Sequence, residues 1–273
     1  MAWIGLLLSV LLLAACDITS SLEESGWKPF SGEHEPLEEK PLHYVALGDS
    51  LTEGVGDETN QGGYVGRLAD DMKSWEGVSE VTVTNTAKKG RRSDQLVTQL
   101  ESGTIDEALQ KANVITLTMG GNDLMKIARQ HIQNLERKYF DEDVKAYEKR
   151  YAKILRLIRK QNKTAPIIAI GIYNPFTVYT EDVGQSDDIM KMYNTKMKDI
   201  VEKENNYAVF VPVSDLFITN NEQVYHTDYF HPNAKGYDRM TTRILETLKH
   251  EDLYKLTKQQ YDWGDQQDEK EDE

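Results

Sequence analysis

Short apolar runs alternate along the chain with longer polar stretches. Runs that are apolar almost throughout are typical of strands buried on both faces of a parallel sheet. The second run alternates apolar and polar residues instead, which indicates a strand at the edge of the sheet. Five strands are predicted in this way, at residues 44–47, 81–84, 114–119, 167–172 and 208–213.

The stretches between the runs carry the spacing of amphipathic helices. The clearest is 141–160, where apolar side chains recur every three or four residues. A second helix is predicted at 186–204 and a third after Pro232. Alternating strands and helices predict an α/β domain over residues 41–250, with helices on both faces of its sheet. Ligands of such sheets bind beyond the carboxyl ends of the strands, so the residues after each run are the candidates for chemistry.

The chain begins with an apolar segment that is too short to cross a membrane. Residues 3–15 hold no charged side chain, whereas about 20 apolar residues are needed to span a bilayer. The segment fits the core of a secretory signal and ends in Leu13-Ala14-Ala15-Cys16, which resembles the lipobox of bacterial lipoproteins. We therefore expect a signal peptide at 1–15, lipid attachment at Cys16 and a disordered tether at 16–40. These features predict an extracytoplasmic protein that is lipid-anchored to the bacterial cell membrane.

The net charge of −14 is concentrated at the two ends of the chain. Residues 17–40 carry −5 and residues 259–273 carry −6, so the middle is nearly neutral. This acidic balance argues against nucleic acid as a partner, because nucleic-acid binding requires a basic face. Residues 251–273 are predicted to form an acidic tail. Cys16 is the only cysteine, which excludes an intramolecular disulfide and a cysteine-rich zinc site.

A serine stands directly after the first strand, in the segment Gly48-Asp49-Ser50-Leu51. A serine at a tight strand-to-helix turn can present its hydroxyl as a nucleophile. The same residue is equally well explained as the N-cap of the following helix. The segment differs from the G-x-S-x-G elbow of other esterases, because Thr52 occupies the place of the second glycine.

Three more strand ends carry candidate chemistry. Gly90 follows the second strand and can bring its N–H close to a ligand, or simply complete a turn. Asn122 follows the third strand and offers an amide donor, or caps a helix. Asp228 and His231 follow the fifth, where the carboxylate can bind Nδ1–H and leave Nε2 free as a base. Together with Ser50, they supply a nucleophile, an acid–base pair and oxyanion donors, the set that acyl transfer requires.

The last of these segments also allows a metal site. His226 joins Asp228 and His231 there, and imidazole and carboxylate groups are common zinc ligands. No further set of ligands is evident in the sequence, which disfavours this interpretation.

Taken in order, four segments resemble the four sequence blocks of the GDSL or SGNH hydrolase family. They are Gly48-Asp49-Ser50-Leu51, Gly90, Gly120-x-Asn122-Asp123 and Asp228-x-x-His231. The resemblance extends over residues 42–249, and the chain is similar to the lipase/acylhydrolase lipoproteins of Gram-positive bacteria. It implies a three-layer α/β/α sandwich of the flavodoxin-like type with a five-stranded parallel sheet. It also implies hydrolysis of carboxylic esters, lipid or acyl esters, without a metal or a cofactor.

Carried over residue by residue, the resemblance implies a role for each candidate. Ser50 is the nucleophile of a Ser-His-Asp triad, His231 is its base and acid, and Asp228 orients the imidazole. The oxyanion hole consists of the N–H groups of Ser50 and Gly90 and the side chain of Asn122. The alternatives are O-deacetylation of a carbohydrate or of peptidoglycan by the same mechanism, and a lipoprotein that binds a ligand without catalysis.

Two further groups of residues concern the substrate. The basic residues around Gly90 either form a solvated loop or attract an anionic substrate such as a phospholipid or a cell-wall polymer; they are Lys88, Lys89, Arg91 and Arg92. Aromatic residues near the strand ends either line an acyl or sugar pocket or pack against the fold; they are Tyr173, Phe176, Tyr179, Tyr229 and Phe230.

Overall fold

The computed structural model describes residues 35–131, 136–174, 184–204, 207–218 and 223–264. Within these ranges, five parallel strands form a sheet in the order β2-β1-β3-β4-β5. Each strand coincides with one of the five predicted runs, and β2 lies at the edge, as its alternating pattern predicts. The strands are β1 Lys40–Leu47, β2 Val78–Asn85, β3 Val114–Thr118, β4 Ile167–Ile170 and β5 Ala208–Val211.

Helices connect successive strands. The predicted helices at 141–160, at 186–204 and after Pro232 correspond to Arg137–Gln161, Gly184–Val201 and Ala234–His250 of the structure. The helices of the described residues are α1 Ser50–Glu53, α2 Gly63–Met72, α3 Ser93–Glu101, α4 Asp106–Lys111, α5 Gly121–Gln130, α6 Arg137–Gln161, α7 Gly184–Val201, α8 Ala234–His250 and α9 Leu253–Leu256.

Side chains of the sheet alternate between two apolar cores, because successive residues of a strand point to opposite faces. Val45 and Leu47 of β1 lie in the core that α3 to α7 cover. Leu42, Tyr44 and Ala46 lie in the other core, with α2, α8 and α9. The sheet is therefore the middle layer of a three-layer α/β/α sandwich, and its strand order is that of flavodoxin-like folds, as predicted.

The topology brings the candidate residues to one edge of the sheet. β1 pairs with β3 in parallel, so the carboxyl ends of these two central strands are neighbours. Ser50 follows β1 and Asn122 follows β3. β2, whose end leads to Gly90, lies on the other side of β1.

The fold continues past residue 250, where the sequence analysis placed its end. Leu253, Leu256 and Tyr261 are buried in the core with α2 and α8. The Tyr261 hydroxyl donates to a backbone carbonyl of β1 at 2.8 Å. The structure therefore corrects the predicted boundary: residues 251–264 belong to the folded domain, because their apolar side chains outweigh the acidic composition of the segment.

Several predictions for the ends of the chain lie outside the described residues. These are the signal peptide at 1–15, the lipidation of Cys16, most of the tether at 16–40, and the acidic tail from residue 265 onwards. Within the described ranges, none of the helices has the length and apolar character that a membrane span requires.

Candidate active site

The end of β1 turns directly into the short helix α1. Asp49 is the N-cap of this helix, and its Oδ1 accepts the backbone N–H of Leu51 at 3.1 Å. Ser50 is the first residue of the helix and is buried, with 4% of its surface exposed. The N-cap role of Ser50 is therefore excluded, and its hydroxyl is available for another partner.

That partner comes from the loop preceding α8. Ser50 Oγ lies 2.9 Å from His231 Nε2, and His231 Nδ1 lies 2.6 Å from Asp228 Oδ2. With the proton of the ring on Nδ1, Nε2 is an acceptor for the serine proton. The structure thus joins Ser50, His231 and Asp228 in one hydrogen-bonded chain, although Ser50 and His231 are 181 positions apart in the sequence.

Asp228 is held by its own loop. Its Oδ1 accepts the backbone N–H groups of Phe230 and His231, both at 3.0 Å. Partial burial by itself raises the pKa of Asp228, but the hydrogen bonds from the His231 ring and from the two N–H groups outweigh burial and hold the pKa below its ordinary value. Asp228 is therefore ionised at neutral pH, the form that orients an imidazole.

The backbone N–H groups of Ser50 and Gly90, at this edge of the sheet, have no acceptor within the described part of the chain. Gly90 has a φ of 77°, in the left-handed region that favours glycine. The turn that contains it is closed by the Arg91 N–H, which donates to the Lys88 carbonyl at 3.0 Å. Unpaired N–H groups of this kind are suited to stabilise a developing negative charge on oxygen.

Asn122 is the second residue of α5 and does not cap it, since Gly120 is the N-cap. Its Nδ2 donates to Asp49 Oδ2 at 3.3 Å and to the Arg91 carbonyl at 3.1 Å. The amide therefore bridges the turn after β1 and the turn after β2. The three predicted oxyanion donors are placed on neighbouring turns by this arrangement.

Asp49 is buried beneath the serine, in a cluster of hydroxyl groups. Thr118 Oγ1 donates to Asp49 Oδ1 at 3.0 Å and lies 2.7 Å from Thr52 Oγ1, which lies 2.6 Å from the Tyr64 hydroxyl. Removal from water raises the pKa of Asp49 to about 6, although the hydrogen bonds that it accepts act in the opposite direction. A Cβ at Gly48 would collide with the side chains of Thr118 and Thr52, so this glycine allows the cluster to pack against bare backbone.

Asp123 joins the turns to the helix layer. Its carboxylate accepts the backbone N–H of Ser93 at 2.9 Å and the Ser93 hydroxyl at 2.5 Å. Arg150 Nη2, on α6, lies 3.3 Å from Asp123 Oδ1. Because Ser93 begins α3, these contacts fix the turn after β2 against the start of α5. Ser93 and Arg150 are not predicted from the sequence, since contacts between such distant residues leave no spacing pattern.

A buried ion pair supports the loop that follows α1. Asp57 Oδ2 lies 2.6 Å from Arg67 Nη1, with side chains 1% and 7% exposed. Arg67 also pairs with Asp238 of α8. Burial raises the pKa of Asp57, but the hydrogen bonds from Arg67, Thr59 and a backbone N–H outweigh it and hold the pKa below its ordinary value. The pair, which is likewise not predicted from the sequence, connects this loop to α2 and to α8, the helix that follows His231.

An apolar pocket adjoins the serine. Its volume is about 520 Å³, including open solvent. The apolar residues of its wall are Leu51, Met119, Met125, Ile172, Tyr173, Met190 and Phe230. A narrow apolar cavity adjoins the pocket at Met125 and Met190, which line both, and extends to Leu124, Ala128, Phe140 and Ile189.

The predicted aromatic residues have different positions. Tyr173 and Phe230 line the pocket, and the Tyr173 hydroxyl donates to the Phe230 carbonyl at 2.7 Å. Tyr229 is exposed and does not line it. The other two, Phe176 and Tyr179, lie outside the described residues.

The basic residues around Gly90 also have different environments. Arg91 is buried, and its Nη1 donates to a backbone carbonyl at 2.7 Å, so it supports the turn. Arg92 Nη2 lies 3.1 Å from Asp94 Oδ2. The remaining two, Lys88 and Lys89, are exposed. The four residues therefore do not form a single basic patch.

The geometry does not favour a metal at the last segment. Both ring nitrogens of His231 have protein partners, Asp228 at Nδ1 and Ser50 at Nε2. Among the residues that the structure describes, no group of three histidine, cysteine, aspartate or glutamate side chains is placed to hold a metal ion.

A parallel sheet that gathers a serine, a histidine and an aspartate at its carboxyl edge, beside an apolar pocket, is the arrangement of an ester-hydrolysing enzyme. Comparison with known families defines the class further. The sequence model of the GDSL-like lipase/acylhydrolase family matches residues 46–239, and the chain belongs to this family.

The chain is also similar to two curated proteins and to a solved structure. The chain is 37% identical over 251 residues to the uncharacterized protein YpmR of Bacillus subtilis (strain 168). This match covers 90% of this chain and 95% of YpmR. It is 29% identical over 212 residues to the spore germination lipase LipC of Bacillus licheniformis, and the match covers 74% of this chain and 94% of LipC. The solved structure of the lipase Lip_vut3 from a goat rumen metagenome matches with a TM-score of 0.66 at 26% identity, covering 76% of this chain and 97% of that chain.

Proposed function

We propose that the enzyme hydrolyses esters of apolar acyl chains through an acyl-enzyme on Ser50. The observation that carries this proposal is the hydrogen-bonded chain of Ser50, His231 and Asp228 beside the apolar pocket. Ser50 Oγ attacks the carbonyl carbon while His231 Nε2 takes its proton, and this proton then passes to the departing alcohol oxygen. A water molecule, deprotonated by His231, next attacks the acyl-enzyme. His231 returns this proton to Ser50 Oγ as the bond from the serine to the acyl carbon breaks, which releases the carboxylic acid and restores the enzyme.

Asp228 and the oxyanion donors stabilise the charges that develop in these steps. The Asp228 carboxylate faces Nδ1 and stabilises the imidazolium. The N–H groups of Ser50 and Gly90, together with the Asn122 amide, receive the oxyanion. Asn122 exchanges its long hydrogen bond to Asp49, at 3.3 Å, for this oxygen. Loss of one such donor typically costs about 2.7–4 kcal/mol of transition-state stabilisation.

The apolar pocket favours an acyl chain over an acetyl group. A carbohydrate or peptidoglycan O-deacetylase needs room for only one methyl group on the acyl side. Here the pocket walls include three methionines, and a further apolar cavity adjoins them at Met125 and Met190. The relative named as a spore germination lipase supports the same substrate class.

A ligand-binding protein without catalysis is less well supported. Such a protein has no need of a histidine placed between a serine hydroxyl and a carboxylate, at 2.9 Å and 2.6 Å. It also has no need of the unpaired N–H groups at Ser50 and Gly90.

A series of p-nitrophenyl esters of increasing acyl length tests the proposed substrate class. Burial of each methylene contributes about 0.8 kcal/mol, so kcat/KM should rise about fourfold per methylene until the pocket is filled. Ala128→Leu places a larger side chain in the inner cavity and should shorten the preferred chain. Turnover of the acetyl ester by the same variant should be unchanged and serves as its control.

Two outcomes would contradict this substrate class. One is a kcat/KM that is highest for the acetyl ester and falls with every added methylene. The other is faster hydrolysis of acetylated glycans than of any acyl ester, which would establish the O-deacetylase alternative.

The proposal includes a lipid anchor at Cys16, outside the cytoplasm. Its support is the sequence alone: an uncharged apolar segment that ends in Leu13-Ala14-Ala15-Cys16, followed by a polar, acidic stretch. An anchored enzyme would act on esters at or near the outer surface of the cell membrane.

A further inference from the structure

A second cleft meets the apolar pocket at Asn122, which lines both. The cleft has a volume of about 610 Å³, including open solvent, and no carboxylate lines it. Three of its wall residues are cations that come from two elements, the turn after β2 and helix α5. The lining residues are Gly90, Arg92, Asn122, Lys126, Arg129 and Gln130.

The cations of this cleft are largely free to bind a ligand. Lys126 and Arg129 are exposed, and neither forms an ion pair with any described residue. They lie three positions apart on α5, so they share a face of the helix. Arg92 adds a third cation, which is paired with Asp94 outside the cleft.

The position of the cleft relates these cations to the ester. Gly90 and Asn122, which we assign to the oxyanion hole, both line this cleft, and Asn122 also lines the pocket that contains Ser50. The carbonyl carbon carries two substituents, and the apolar pocket takes the acyl chain. The alcohol portion must extend outside that pocket, and the cationic cleft is a neighbouring cleft that shares Asn122 with it.

We propose that this cleft binds an anionic group on the alcohol portion of the substrate, so that the preferred esters are acyl esters of a phosphorylated alcohol. The proposal rests on the ester hydrolysis proposed above and adds the chemistry of the leaving group. Of the four basic residues around Gly90, only Arg92 belongs to this proposed anion site. The other two cations of the site are Lys126 and Arg129. The buried Arg91 has no part in it.

The test compares two soluble esters with the same acyl group, the butanoyl esters of glycerol 3-phosphate and of glycerol. In Lys126→Gln/Arg129→Gln, kcat/KM for the phosphorylated ester should fall by about three- to tenfold, mainly through KM, since exposed charge pairs are individually weak. The neutral ester should be unaffected. The advantage of the wild type for the phosphorylated ester should also shrink between about 0.02 M and about 0.5 M salt.

A matched control removes two cations elsewhere. Lys73→Gln/Lys111→Gln has the same change in charge, and both lysines lie near the amino ends of strands, away from the site. This variant should treat both esters as the wild type does. An equal fall for both esters in Lys126→Gln/Arg129→Gln, or no fall for either, would overturn the proposal.

A micellar arm separates a bound anion from a charged lipid surface. In this arm, the rates of the wild type and the same variants are measured on a long-chain monoacylglycerol phosphate above its critical micellar concentration. If the double variant loses rate only with micelles, and not with the soluble phosphorylated ester, the cations steer the enzyme to a surface and the cleft proposal is wrong.

If the wild type hydrolyses no ester, the proposed function is wrong, and the cleft proposal needs a separate test. The affinity for inorganic phosphate is then compared between the wild type and the double variant. Equal affinities would overturn the proposal that the cleft binds an anion.

Discussion

At the scale of single residues, the position of the Ser50 hydroxyl depends on the neighbouring carboxyl group of Asp49. Asp49 caps α1, accepts the Thr118 hydroxyl and contacts the Asn122 amide. One buried side chain thereby connects the serine turn, a central strand and a proposed oxyanion donor. Its capping role leaves the Ser50 hydroxyl to face His231.

The raised pKa of Asp49 makes the stability of the domain depend on pH. The carboxyl titrates near 4 in an unfolded chain and at about 6 in the folded one, so the folded state binds more protons between these values. The contribution of Asp49 to the free energy of unfolding therefore falls as the pH rises from about 4 to about 6. Asp49→Asn has no such proton to lose. Relative to the wild type, it should gain on the order of 3 kcal/mol between about pH 4 and about pH 7.

Denaturant unfolding at several pH values measures this difference. Asp70→Asn is the matched control, because Asp70 is an exposed carboxylate paired with Lys73. Its difference from the wild type should change by only a few tenths of a kcal/mol. If the difference between Asp49→Asn and the wild type is the same at both ends of the range, the pKa of Asp49 is not raised.

The sequence locates some of these residues better than others. Ser50, Gly90 and Asn122 follow predicted strands, and ligands of parallel sheets bind at strand ends, so the sequence alone places these residues at one edge. The side chains that hold these residues in place are not predicted from the sequence. Arg150, on another helix, is 27 positions from Asp123 in the sequence, and no local pattern predicts a contact between them.

At the scale of secondary-structure elements, the C-terminal segment completes the core beside α2 and α8. Helix α9 buries Leu253 and Leu256, and Tyr261 is only 1% exposed. Beyond it, Trp263 packs edge to face on Trp75, with ring centroids 5.6 Å apart. The segment is therefore part of the domain, although its charge suggests a solvated tail.

Truncation separates the packed part of this segment from the acidic end. A chain that ends at residue 251 loses three buried side chains, each contributing about 1.5–3 kcal/mol, and its free energy of unfolding should fall by on the order of 5 kcal/mol. A chain that ends at residue 264 should match the full chain within about 0.5 kcal/mol. Denaturant unfolding of the two truncated chains gives both values.

Leu256→Ala in the full chain provides the same information if the shorter chain does not fold. Removal of a buried leucine side chain typically costs about 2–5 kcal/mol, and this range is expected here. A neutral Leu256→Ala, together with equal stability of the two truncated chains, would mean that the segment does not pack as described.

The elements themselves differ in how well the sequence predicts them. All five strands are predicted because short runs that are continuously apolar, or that alternate apolar and polar residues, are typical of strands. Helix α6 is predicted because it is long and strongly periodic. Helix α9 has four residues, too few to establish a period, and the acidic residues around it dominate the composition of the segment.

At the scale of the whole molecule, net charge and site charge are separate properties. The chain carries −14, mostly near its ends, whereas the cleft at Asn122 is lined by cations and by no carboxylate. The cleft could not be predicted from the sequence, because Arg92 and Lys126 come from different elements and only the fold brings them to one surface.

The proposed lipid anchor concerns the whole molecule as well. In a Gram-positive host, the wild type should fractionate with membranes and incorporate labelled fatty acid, since Cys16 provides the only thiol. Cys16→Ser should lose the label and leave the membrane fraction, while its activity on soluble esters in a lysate is unchanged. Continued membrane association of an unlabelled Cys16→Ser would show that another feature attaches the protein.

The central claim is that Ser50 is the nucleophile, and labelling by a fluorophosphonate probe tests it most directly. Peptide mass spectrometry should find the wild-type label on Ser50, and Ser50→Ala should be unlabelled and unable to hydrolyse p-nitrophenyl acetate. The exposed Ser102 offers a matched control, and Ser102→Ala should be labelled like the wild type. Labelling of Ser50→Ala to the wild-type extent, or a wild-type label on another serine, would contradict the account.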